Sequence, residues 1–141
     1  MRTTAILGMC AVLAMAAMGC ATGSKGPTDQ ELINQALNNW KVGMESKDIT
    51  KLEIAISDKF NHFEWGNKEQ MLSVLKNFFS TGDLDNAKIV LDNAKTTIDG
   101  TKATVYPVEL TASFGSATIE FTLEKEADGQ WRATSVNVEG V

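Results

Sequence analysis

The chain carries one histidine, His62, set between two carboxylates, Asp58 four residues earlier and Glu64 two residues later. An imidazole that a carboxylate can orient is a common apparatus for moving a proton near neutral pH. Glu64 falls on the same side of an extended segment as His62, so the two could share a proton. Burial against apolar groups would raise either carboxyl toward neutrality and make it a competent base. Tyr106 adds a phenol able to donate a hydrogen bond to a developing oxyanion. Glu109 interrupts an apolar stretch and is a further carboxyl candidate, although a mid-strand glutamate ordinarily alternates toward solvent. The favoured reading of His62 and Glu64 is the inert one, in which both lie on the outward side of an edge strand.

Other chemistries lack their parts. With one histidine, and cysteines only at Cys10 and Cys20, metal ligands would have to be carboxylates. Asp83, Asp85 and Asp92 lack the glycine-containing spacing of a calcium loop, so no metal and no cofactor is expected. There is no Gly-x-Ser-x-Gly elbow, no Cys–His couple and no glycine-rich phosphate loop. Thirteen Lys+Arg against 18 Asp+Glu, a net charge of -5, and no basic run argue against nucleic acid as a partner. A chain of 141 residues that is 43% hydrophobic and 22% charged is enough for one globular domain.

The elements that must position these side chains are legible from period and punctuation. Thr28-Asp29-Gln30-Glu31 has capping-box spacing, and Ile33, Ala36, Leu37, Trp40 and Met44 form one apolar stripe of a first helix. Asp48 can cap a second helix, with Ile49, Leu52, Ala55 and Ile56 on one side, packed against the first as a hairpin. Phe60 to Trp65 reads as a short aromatic strand turning at Gly66-Asn67. Asn67 to Gln70 caps a third helix, whose stripe is Met71, Leu72, Leu75, Phe78 and Phe79 and whose stop is Thr81-Gly82. Beyond Ala87 the period becomes that of strands: Ile89 to Ile98, a turn at Asp99-Gly100, Thr101 to Phe114, and a turn at Gly115-Ser116. A clean alternation of Ala117, Ile119, Phe121 and Leu123 follows. After Asp128-Gly129 the last strand, Gln130 to Glu139, shifts its apolar parity near Thr134-Ser135, which predicts a bulge. Pro107 has no N–H and is expected at a bulge or on an unpaired side.

The first residues carry an address. Arg2 precedes an apolar run from Ala5 to Met18, shorter than the roughly 20 residues a spanning helix needs, so it reads as a signal peptide rather than a transmembrane anchor. Ala17-Met18-Gly19-Cys20 resembles the lipobox of bacterial lipoproteins, departing from it at Ala17, where leucine is usual, and at the large Met18. That resemblance implies a signal peptide over 1–19, a diacylglycerol on Cys20, a flexible tether over 20–27 and attachment to the membrane through the lipid. Ordinary cleavage near Ala21 is the alternative. Lipidation also gives a use to the one thiol an exported chain would retain, since Cys10 lies in the removed segment. The expected location is the bacterial cell envelope. Ala21 rather than aspartate after the cysteine points to the periplasmic side of the outer membrane in a Gram-negative cell.

Over 28–141 the element order resembles the nuclear-transport-factor-2-like, or SnoaL-like, superfamily with its cystatin-like cone. The carrying pieces are Trp40 with the Lys47-Asp48-Ile49 junction, Phe60 to Gly66 followed by Lys68-Glu69, and Asp128-Gly129-Gln130-Trp131-Arg132. The resemblance implies an α+β fold, three N-terminal helices packed in the concave face of a strongly bent, mostly antiparallel sheet. It places a pocket among Trp40, Phe60, Trp65, Tyr106, Val108, Leu110, Phe114 and Phe121. On this parity Tyr106, Val108, Leu110, Ala112 and Phe114 face inward, and Val105, Glu109 and Thr111 face out. The competing reading is that the large aromatics simply fill the cone. None of these pieces is catalytic, and the superfamily holds isomerases, cyclases, dehydratases and proteins without chemistry, so fold does not choose function. The favoured expectation is a non-enzymatic module that binds a small apolar ligand or a protein, a second copy docked through the sheet included. The alternative is an acid–base enzyme with His62, Asp58 or Glu64 as base and Tyr106 as donor.

Overall fold

The computed structural model describes residues 25–140. The signal-peptide segment 1–19, Cys20 and the tether as far as Ser24 lie outside the described residues. Among those described, no helix is long and apolar enough to cross a membrane.

Helix α1 (Asp29–Ser46) starts where its capping box is complete. Glu31 N–H donates to Thr28 Oγ1 at 3.2 Å while Thr28 N–H donates back to Glu31 Oε2 at 2.6 Å. Its stripe of Ile33, Ala36, Leu37, Trp40 and Met44 is buried. Asp48 accepts from the Thr50 and Lys51 amides and begins α2 (Ile49–Ala55). The two helices cross closely at Gly43, where a Cβ would stand 2.8 Å from two carbons of the buried Leu52 side chain. Strands β1 (Asn61–His62) and β2 (Gly66–Asn67) form a small hairpin leading into α3 (Lys68–Thr81), which carries a second capping box between Asn67 and Gln70. Gly82, at φ 87°, closes α3 in the left-handed region that glycine enters without strain.

A five-stranded antiparallel sheet follows: β3 (Lys88–Val90), β4 (Lys95–Asp99), β5 (Lys102–Ala112), β6 (Gly115–Lys125) and β7 (Trp131–Glu139). The order is β3-β5-β6-β7, with β4 also paired to β5. The single strand expected from Ile89 to Ile98 is therefore two, separated by a turn in which Ala94 N–H donates to Leu91 C=O. The cause lies across the ladder, because β3 pairs with Glu109–Thr111, β4 pairs with Lys102–Tyr106, and Pro107 between them has no N–H to offer. The β5–β6 turn is Ser113-Phe114 rather than Gly115-Ser116, since Gly115 already pairs with Ala112. The expected bulge in β7 is at Thr134, skipped between the pairs Thr122–Ser135 and Leu123–Ala133.

The helices cover one face of the curved sheet, so the fold is α+β, three helices on a mostly antiparallel cone. Trp40 of α1 meets Phe121 of β6 edge to face at 4.8 Å between ring centres. Trp131 donates from its indole nitrogen to Asp29 Oδ1 at 3.0 Å, tying the start of α1 to β7.

Candidate functional site

Inward residues of the sheet end and the helices above it enclose an apolar cavity of about 300 Å³. Trp40 and Met44 of α1 form one side, and Met71, Leu75 and Phe78 of α3 another. Leu110 of β5, Ala117 and Ile119 of β6, and Val136 and Val138 of β7 form the sheet wall, and Trp65, Leu84, Phe114 and Asp83 complete the lining. The room exists because Ala117 is small where the rest of its row is Ile119, Phe121 and Leu123. It stands directly across from Leu110 and is buried, yet it is not one of the side chains in the contiguous core.

Of the eight expected pocket residues, the structure brings Trp40, Trp65, Leu110 and Phe114 to this cavity. Phe60, Val108 and Phe121 are almost fully buried in the packed core instead. Tyr106 is a correction. It is 42% exposed and faces away from the cone, while Val105, expected outside, is wholly buried. The register of β5 against β6 shifts between Val105 and Val108, and one shifted residue exchanges the two faces of a strand. Tyr106 therefore has no access to the interior as an oxyanion donor, and Glu109, beyond the shift, is exposed.

The acid–base candidates are placed apart from the cavity. His62 is buried rather than solvated, but its Nδ1 accepts two backbone amides, Glu64 N–H at 3.1 Å and Trp65 N–H at 3.2 Å. This bonding pattern puts the ring proton on Nε2 and leaves Nδ1 no free lone pair for a substrate. The imidazole stacks on Trp65 at 4.4 Å, so it orders the β1–β2 turn that holds Trp65 against the cavity. Asp58 points to solvent, its side chain 94% exposed, and binds Lys68 at 2.8 Å. That ammonium lowers the Asp58 carboxyl below its ordinary value, the reverse of what burial does to a catalytic acid. The Glu64 side chain is exposed.

Sequence reasoning missed Met44, Met71, Leu75, Phe78, Leu84 and Asp83 as lining. The helix stripes contain most of them but do not say whether a stripe meets protein or space. Ala117 was the available signal, the smallest inward side chain in a row of large ones. No group of three or more His, Cys, Asp or Glu side chains able to hold a metal gathers among the described residues.

No sequence-family model and no curated protein sequence matches the chain. Solved structures do. A nuclear-transport-factor-2-like protein of unknown function from Shewanella baltica is 21% identical, with a TM-score of 0.61 over 83% of this chain and 100% of that one. A protein of unknown function with a cystatin-like fold from Nostoc punctiforme is 15% identical, with a TM-score of 0.63 over 81% and 93%. A Shewanella frigidimarina protein, provisionally described as a ketosteroid isomerase, is 12% identical, with a TM-score of 0.60 over 77% and 94%. The chain thus has the cystatin-like fold of nuclear-transport-factor-2-like proteins, and at these identities the likeness is one of fold alone.

Proposed function

We propose that the chain is an envelope-anchored lipoprotein whose cone is a non-enzymatic module for holding a small apolar molecule. The observation that carries this reading is the cavity of about 300 Å³, lined almost wholly by apolar side chains and excluding His62, Asp58 and Glu64. A concave, largely preformed apolar site is the usual form of a small-molecule pocket. An isomerase, cyclase or dehydratase would need a titratable group beside the reacting atom. Among the lining residues only Asp83 titrates, and it lies exposed at the rim. The anchoring half rests on Ala17-Met18-Gly19-Cys20 and the Gly/Ser-containing tether, since more than one acyl chain on Cys20 would hold the domain stably at a bilayer.

Trp40 and Trp65 in the wall make binding directly readable. Hydroxybiphenyl added to the purified protein should quench tryptophan fluorescence saturably and raise the melting temperature, as any ligand of the folded state alone must. Ala117→Leu should weaken both effects. Failure of apolar probes of this size to bind removes the pocket reading. Incorporation of an alkynyl fatty acid in bacteria expressing the full chain, abolished by Cys20→Ala, tests the anchor separately.

A further inference from the structure

The surface of the cavity decides which part of a ligand can lie inside it. That surface is almost entirely carbon and sulfur. Among the described residues no buried side-chain nitrogen or oxygen lacks a hydrogen-bond partner, so no buried side chain is left waiting for a polar guest. A hydroxyl, carbonyl or charge carried into the interior would lose its water and find no replacement. Hydrocarbon carried in loses only its contact with water, which is favourable.

Exposure locates the opening. Met44, Met71, Leu75 and Ile119 are buried, whereas Trp65 and Phe78 are half-buried and Phe114 is 37% exposed. Three rings therefore frame the mouth, and aliphatic side chains form the depth. Asp83, the one carboxylate of the lining, is exposed and stands on the water side. Met44 and Met71 are unbranched thioethers, which adapt to guests of irregular shape. A dry, adaptable interior behind such a mouth suits a flexible ligand whose polar atoms all sit at one end.

We propose that the cavity holds the alkyl chain of a single-ended amphiphile, its polar head left in water outside the rings of the mouth. This rests on the pocket reading above and specifies its ligand. An apolar cavity of about 150 Å³ holds one benzene ring, so one of about 300 Å³ takes about a dozen chain carbons. A free fatty acid and a membrane lipid both present such a chain.

Straight-chain carboxylates of about eight to sixteen carbons, titrated calorimetrically into the purified protein, test it. Affinity should rise about fourfold per methylene and level off once about a dozen carbons are inside. Dodecyltrimethylammonium should bind within about threefold of dodecanoate at about 0.15 M salt, because both heads stay in screened water. Dodecanoate with a hydroxyl added at its far end should bind at least about tenfold more weakly. In Ala117→Leu, whose added carbons occupy ligand space, the plateau should come about three carbons earlier. Dodecanoyl lysophosphatidylcholine separates the two sources. Binding as tight as that of dodecanoate supports the chain of a membrane lipid, and binding at least about tenfold weaker supports a free amphiphile whose small head clears the rings. Affinity independent of chain length, a head preference above about tenfold, undiminished binding of the hydroxylated chain, or a plateau unmoved in Ala117→Leu overturns the chain assignment. Hydroxybiphenyl binding in that event leaves the pocket intact. Absence of binding by hydroxybiphenyl and by every chain overturns both.

Discussion

Replacing Ala117 with leucine sets an open cavity against a filled cone. The residue is buried on β6, opposite Leu110, with its methyl toward the cavity. Leucine there adds three carbons to a wall that already has room for them. At about 0.8 kcal/mol per buried methylene the gain has a ceiling of about 2.4 kcal/mol. Immobilising the longer side chain removes about 0.5–1 kcal/mol, leaving a net gain of about 1.5 kcal/mol. For a domain of this size that is a rise in melting temperature of about 5 °C. The same three carbons occupy ligand space, so hydroxybiphenyl should bind at least about tenfold more weakly, the equivalent of about two methylene contacts. Calorimetry and fluorescence titration read the two effects on one sample. A well-packed core would respond in the opposite direction, losing about 1–3 kcal/mol to overpacking. A destabilised Ala117→Leu protein would therefore refute the cavity and the ligand-binding argument built on it.

Other expectations follow from the same geometry. Gly43→Ala should lower stability by about 1 kcal/mol in chemical denaturation, since a Cβ forced against Leu52 costs about 1–3 kcal/mol and better helix propensity returns about 1. A stabilised variant would mean that the α1–α2 crossing is loose. His62→Ala should cost about 1–2 kcal/mol by leaving the Glu64 and Trp65 amides without their acceptor. It should also weaken apolar binding, because Trp65 loses its stacking partner; wild-type affinity in that variant would detach the turn from the site. Asp29 is held below its ordinary value by Lys125 and Trp131, Asp58 by Lys68, and Asp128 by Arg132. Because these folded-state values are depressed, their stabilisation is full above about pH 5 and fades as the pH falls through them. The melting temperature should drop on the acid side, and less steeply in Asp29→Asn than in the wild type; identical slopes would show that Asp29 is not among the linked groups.

What the residues determined alone is everything whose cause is local. The capping boxes at Thr28 and Asn67, the Asp48 cap and the Gly82 stop each act within one turn of helix, so helix bounds followed from spacing. The unbroken alternation of Ala117 to Leu123 revealed the dry face of β6, and the parity change near Thr134 revealed the bulge of β7. The tertiary structure decided whatever depends on two distant segments meeting. Pro107 announced an irregularity, but the pairing of β5 with β6 set where the register shifts, and that shift put Val105 inside and Tyr106 outside. The same interruption on the other edge divided the expected long strand into β3 and β4. His62 was conspicuous as a titratable side chain, yet its two amide donors come from the fold of the turn behind it. The cavity itself is the space left when α1, α3 and the sheet meet around a small residue. Alternation tells which way a side chain points, but whether it meets another side chain or an opening depends on elements far away in the chain.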